Sequence, residues 1–417
     1  MQRLPTYFRV LLVVMGLVHL GRMSAFVGSL LSKANGLVYA DGFNPVGGDF
    51  VNLFAAARLV IAGQPAAIYA PTQFTAFEQT LIGPFTGIGV WVYPPPSLLL
   101  IAPFAWFGYV PGLLAWSVLG LAALAFGAWR AGFKSIDSLV LVLAPATISC
   151  LVIGQTSNLF LGLLLVALST RDGGRWSGGI AAALLTLKPQ LGFALPVIFL
   201  LRRQWFSILV AVFVALVLAV VSAAIYGVDV WRSYVGDTLS FLSQSERTDT
   251  GPFMLLEPSV FMAGRILTGD AGLSLLVHGV VAIAAVAYAI WRQITARSAD
   301  QQAAVALAAT VLITPYFHSY DGGLLVCAAL LAARHWEAAG GLPRLLGYFV
   351  VIGAWLLPDA TQTLNGMGLP VGPIIMIAVL LLAGETPRSR GPAGETVESG
   401  IGAPGRTRTD MPRGGGF

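Results

Sequence analysis

The chain has 417 residues, 57% of them hydrophobic and only 10% charged, where soluble domains carry about 25% charged residues. A soluble fold cannot hide that much apolar surface, so the composition excludes a soluble enzyme and points to an all-α, polytopic integral membrane protein. The formal charge of +5 must first be sorted by membrane side and is no argument for nucleic-acid binding, while Cys150 and Cys327, both in apolar runs, match no metal spacing.

The first apolar run, 10–31, follows Arg3 and Arg9 and has no small-residue cleavage site. It reads as a retained first span rather than a removed signal peptide. Residues 32–93 are polar to amphipathic and carry Asp41, Asp49, Arg58 and Glu78. Within them Phe50, Leu53, Phe54 and Ala57 recur at helical spacing, which predicts an amphipathic helix along the membrane surface. Tyr93-Pro94-Pro95-Pro96 closes the segment, because successive prolines lack donors and disfavour helix before them. The short run 97–107 reads as a re-entrant half-helix.

Further apolar runs lie at 113–129, 138–153, 159–169, 176–187, 191–201, 206–226, 272–291, 302–314, 322–333, 345–357 and 371–383. Several are shorter than a full crossing and need tilt or neighbours to complete one. Placing Arg3, Arg9, Arg130, Lys134, Arg171, Arg175, Arg202, Arg203, Arg292, Arg297, Arg334 and Arg344 on the cytoplasmic side gives about 12 crossings. A rival assignment, with 97–107 crossing and 176–201 merged into one helix, gives the same count but sinks Lys188 into the bilayer. Both put 32–93, 227–270 and the stretch from Pro315 to Asp321 on the outer face, which is acidic and elaborated. The organisation is then a membrane domain over 1–383 and, at 384–417, a Gly-, Pro- and Arg-rich tail expected to be disordered and cytoplasmic.

No glycine-rich phosphate loop, HExxH or paired CxxC is present. The candidates for chemistry are polar residues at the membrane boundary, where they are expensive and usually functional. Asp49 follows two turn-forming glycines and precedes a predicted helix, so it either caps that helix or serves as a carboxylate base for a hydroxyl. Gly154-Gln155-Thr156-Ser157-Asn158 interrupts two apolar runs; such a turn satisfies helix ends, or its Gln155 and Asn158 bind a sugar. Lys188 in an apolar stretch needs an anion or the interface, and a phosphate is one such anion. His318, flanked by Tyr316, Tyr320 and Asp321, is a donor toward a phosphate oxygen or a leaving group.

In this order along the chain, Asp49-Phe50 with Ala55-Ala56-Ala57-Arg58 and Ala62-Gly63, Tyr93-Pro94-Pro95, Gly154-Gln155 with Asn158-Leu159, Leu187-Lys188-Pro189, and Pro315-Tyr316 with His318 and Asp321 resemble glycosyltransferase family 87 of the GT-C superfamily. The resemblance implies a GT-C-like fold with amphipathic outer-face helices. It also implies an inverting transferase that takes a hexose, mannose in the members it resembles, from a polyprenyl-phosphate carrier. The site would sit on the extracytoplasmic face of the cytoplasmic membrane, with Asp49 as general base. Lys188, His318, Arg58 and Arg265 are then the candidates for the donor phosphate, and Gln155, Asn158, Tyr93, Tyr320 and Asp321 for sugar or acceptor. The expected partners are membrane lipids, the lipid-linked donor and a glycolipid or glycan acceptor, in a monomer without metal or other cofactor. The alternative class is a secondary transporter or flippase, for which the matching inverted halves are not seen.

Overall fold

The computed structural model describes residues 4–39, 44–87, 89–169, 175–249, 251, 253–296, 298–337 and 340–385. Asp41, Arg171, Arg297 and all but the first two residues of the tail 384–417 lie outside them. Every regular element among the described residues is helical; two isolated β-bridges, Asn35 with Val38 and Val38 with Pro45, shape the loop that leads to Asp49.

In chain order, α1 (Thr6–Leu31) is followed by α2 (Phe50–Ile61), a 3-10 turn at Pro65–Tyr69 and α3 (Pro71–Ile82). Beyond the prolines come α4 (Ser97–Ile101), a 3-10 turn at Ala102–Trp106, and α5 (Tyr109–Arg130). Next are α6 (Ser135–Val142), α7 (Pro145–Val152), α8 (Ser157–Ser169), α9 (Trp176–Leu184), α10 (Pro189–Gly192), α11 (Ala194–Leu201) and α12 (Trp205–Tyr226). The last group is α13 (Val228–Ser233), α14 (Leu239–Thr248), α15 (Val260–Thr268), α16 (Ala271–Thr295), α17 (Ala299–Ile313), α18 (Gly323–Trp336), α19 (Gly341–Gly366) and α20 (Gly372–Gly384).

These helices sort by what they touch. The five long apolar ones, α1, α5, α12, α16 and α19, meet the length and composition of a membrane span. Their apolar side chains face outward, as with Leu17 and Val18 of α1 or Phe213 and Val220 of α12. Such a surface suits lipid and not water, which makes the chain a polytopic membrane protein. Shorter helices fill the middle: residues 317–334, including nearly all of α18, are buried without a break, and α17 packs against α18 and α20. A helix apolar all round is one enclosed by others. Where α5 crosses α8, a Cβ on Gly127 would fall onto the Gly162 carbonyl oxygen, so the two backbones touch through glycine.

One expectation is met in part and another is corrected. Helix length supports five spans, or six if α6 and α7, bent by 50° about Leu143 and Ala144, count as one; it does not establish twelve. Prolines and polar turns break the remaining apolar runs into helices of 10–17 residues. Helix α2, expected on the membrane surface, is instead enclosed: Phe50, Val51, Leu53, Phe54, Ala55, Ala56, Ala57 and Leu59 are all buried, against α3, α4 and the Ala102–Trp106 turn.

Buried ion pairs staple the bundle. Arg334 of α18 lies 3.2 Å from Asp137 of α6 and stacks over Phe133, while Arg9 of α1 reaches the same carboxylate at 3.6 Å. Apart from these buried pairs, His19 Nδ1 of α1 lies 2.8 Å from the exposed Asp359 of α19.

Candidate active site

Two glycine turns interlock to place Asp49. Gly47 and Gly48 have φ of +79° and +51°, and Gly154 has φ of +62°, conformations that side chains resist. A Cβ on Gly48 would meet Ile153 Cα at 2.9 Å, and one on Gly154 would meet Phe50 Cβ at 2.5 Å and the Gly47 oxygen at 2.6 Å. That closeness lets the Asp49 N–H donate to the Ile153 carbonyl at 2.9 Å.

The Asp49 side chain is not used as a helix cap: it stands at the N-cap position of α2 but makes no cap bond. Its Oδ2 instead accepts from Gln155 Nε2 at 2.5 Å. The amide of Gln155 is oriented from its other end, where Oε1 accepts from Tyr93 Oη at 3.3 Å and from the Thr156 N–H at 3.2 Å. Tyr93 Oη also lies 3.0 Å from Thr156 Oγ1. Burial raises the Asp49 carboxyl above its ordinary value, and the Gln155 bond and the Lys188 charge pull it part of the way back.

A second cluster adjoins the first through that charge. Lys188 stands in the break before α10, buried, with Nζ 2.7 Å from Asp321 Oδ1 and 3.2 Å from Ser157 Oγ. Ser157 in turn donates to the same Asp321 oxygen at 2.5 Å. The ammonium lies 5.6 Å from the centre of the Tyr320 ring, which stacks on His318 at 5.0 Å and 10°. His318 Nε2 lies 3.5 Å from Glu257 Oε1, and the His318 ring packs against Phe253. Burial pushes His318 down to about 4, so it is an uncharged hydrogen-bonding group near neutrality.

The structure thus brings together Asp49, Gln155 and Tyr93, and beside them Lys188, Asp321, Tyr320 and His318. It leaves Arg58 and Arg265 elsewhere: the exposed Arg58 donates to the Ala105 carbonyl at 3.1 Å and sits over Phe54, and Arg265 donates to the Asp249 carbonyl at 2.7 Å. Asn158 is a joint of the scaffold, its Nδ2 donating to the Thr147 carbonyl of α7 at 3.2 Å. Lys188 is not a solitary cation, since Asp321 balances it. Thr156, Ser157 and Glu257 also join these clusters, through Tyr93, through Lys188 and Asp321, and beside His318, and the sequence alone does not single them out. Their signal, a place in the polar turn or a lone acid among apolar residues, is weak without the fold. Among the described residues no three His, Cys, Asp or Glu side chains are grouped to hold a metal.

The described structure is thus a helical membrane protein in which carboxylate, amide, hydroxyl and ammonium groups meet in neighbouring clusters, a set able to bind and deprotonate a polar substrate. The comparison with known families agrees: residues 91–315 match the model of Glycosyltransferase family 87, and the chain belongs to that family. The matched stretch holds Tyr93, Gln155, Asn158 and Lys188, while Asp49 precedes it and His318 and Asp321 follow it.

Among curated proteins, the chain is similar to two described as alpha-(1->3)-arabinofuranosyltransferase, from Mycobacterium tuberculosis strains CDC 1551 / Oshkosh and ATCC 25618 / H37Rv. Each is 30% identical over 173 residues, and the match spans 37% of this chain and 37% of the relative. No solved structure matches.

Proposed function

We propose that the protein is an inverting glycosyltransferase that moves one sugar from a polyprenyl-phosphate carrier to an acceptor hydroxyl at the outer face of the cytoplasmic membrane. The observation that supports this most is the Asp49 carboxylate, free of a capping duty and bonded to the Gln155 amide, on a backbone whose N–H donates to the Ile153 carbonyl. In this reading Asp49 takes the hydroxyl proton as the acceptor oxygen attacks the anomeric carbon. The bond from that carbon to the phosphate oxygen breaks, and the electron pair leaves with the lipid phosphate. Lys188, with a third N–H beyond its bonds to Asp321 and Ser157, steadies that anion, and neutral His318 is a further donor. Tyr320 and Tyr93 offer aromatic faces and hydroxyls to the sugar.

The resemblance favours mannose, but the named chemistry of the curated relatives favours a second reading, an arabinofuranosyl donor. Purified protein, given either labelled lipid-linked sugar and a membrane glycolipid extract, decides between them by the mass of the product. Label that moves to an acceptor supports transfer. Label that only crosses a proteoliposome membrane supports a transporter and ends the proposal. The chemistry is written without a metal, and full activity after chelation with EDTA is the expected result.

A further inference from the structure

Glu78 of α3 is fully buried, yet neither of its carboxyl oxygens has a hydrogen-bond partner among the described residues. The backbone of Gly89 closes over it: a Cβ there would fall onto the Glu78 carboxyl group. Thr75, one turn earlier on the same helix, holds that cover in place, its hydroxyl accepting from the Gly89 N–H at 2.9 Å. Helix α3 packs on α2 and on the Pro65–Tyr69 turn. Of the ionisable groups, Asp49 and Tyr109 couple to the charge of Glu78, Arg58 and Tyr69 lie on the elements packed against α3, and none is bonded to Glu78. Arg58 turns away to Ala105, Tyr69 donates to the Tyr93 carbonyl and Tyr109 to the Val46 carbonyl. The charge that acts on Glu78 is another carboxylate, Asp49.

An ionised carboxylate with neither cation nor donor is too costly to bury, so such a group holds its proton. We propose that Glu78 is a positioning residue of the transfer site, a carboxylic acid that works uncharged and sets the alkaline limit of activity. Its ionisation would put a second negative charge beside Asp49 and against an anionic lipid-phosphate donor. Glu78 touches no reacting atom on this account and acts through the field at Asp49. The proton it loses at high pH goes to solvent, and no bond of the substrate changes with it. Burial, reinforced by the negative charge of Asp49, lifts the carboxyl to about 8, just above physiological pH. The inference rests on the transferase reading for its kinetic consequence, though not for the protonation state itself.

Two measurements on the purified full chain keep the questions apart. In the infrared spectrum, a protonated-carboxyl band should persist at neutral pH, fade as pH passes about 8, and be missing from Glu78→Gln. A spectrum in which no such band distinguishes wild type from Glu78→Gln overturns the proposal, whatever the enzyme does. In the transfer assay, kcat/KM for the lipid-linked donor should fall about tenfold per pH unit above that point, mainly through KM. The neutral isostere Glu78→Gln should rescue the alkaline rate. An unchanged alkaline limb in Glu78→Gln, or a folded Glu78→Gln protein inactive at every pH, overturns it. If wild type transfers no sugar at all, the transferase reading fails while the infrared result still decides the state of Glu78.

Discussion

Replacing Gly154 by alanine tests how the site is built. The added methyl would stand 2.5 Å from Phe50 Cβ and 2.6 Å from the Gly47 oxygen, on a residue whose φ is +62°. The left-handed conformation costs an alanine about 1–2 kcal/mol, and forcing atoms into so tight a contact costs about 1–3 kcal/mol more. The available relief is for the two turns to part, which stretches the Asp49 N–H bond to Ile153 and carries the carboxylate away from Gln155. A hydrogen bond to a charged group contributes about 1.5–3 kcal/mol. Its loss at the reacting carboxylate slows transfer about ten- to hundredfold. Gly63→Ala is the control, because Gly63 has φ of +71° but nothing within 4 Å of its would-be Cβ. Thermal melting in detergent and kcat with a lipid-linked sugar should show a modest loss of stability for Gly63→Ala, and a larger one with slow turnover for Gly154→Ala. Equal behaviour of the two variants would refute the interlocked-turn account.

Three other predictions concern the charges. Asp321→Asn leaves Lys188 buried without its counter-ion and should cost about 3–5 kcal/mol, whereas Lys188→Met with Asp321→Leu should recover much of that loss, as a double-mutant cycle by denaturation would show. Activity should fall on the acid side as Asp49 gains a proton, at a pH above the ordinary 3.8 because burial raises that carboxyl; a limb unmoved in Gln155→Leu would sever Gln155 from it. Glu78 keeps its proton in the folded state to about 8 but loses it near 4.5 when unfolded. Its share of stability is therefore whole below 4.5 and falls by about 1.4 kcal/mol per pH unit up to the folded value. Melting temperatures of Glu78→Gln should lack that decline.

Much of the helix layout was legible from hydropathy alone. The runs 206–226 and 272–291 became Trp205–Tyr226 and Ala271–Thr295. What local pattern does not carry is how deep a helix lies. The spacing of Phe50, Leu53, Phe54 and Ala57 fits a surface helix and a buried one equally, and the small side chains Ala55 and Ala56, which let neighbours close over α2, decided for burial. The count of spans is not fixed by helix length for a related reason: a 13-residue apolar helix is unable to cross alone, and periodicity does not say whether protein or lipid completes its path. The site was legible as a set of polar interruptions in apolar runs, but not as a set of pairs. Asp49 meets Gln155 across 106 residues and Lys188 meets Asp321 across 133, distances over which one sequence gives no register. Arg58 has its place in a motif, but its guanidinium bonds the Ala105 carbonyl, a partner that the motif does not indicate.

The central claim is that Asp49 is the base for glycosyl transfer. It is tested most directly by comparing wild type and Asp49→Asn in a single-turnover assay with a labelled polyprenyl-phosphate sugar, alongside donor binding and thermal melting of both proteins. The account predicts that Asp49→Asn folds, binds the donor and transfers no sugar. Near-normal turnover by the folded variant would contradict it.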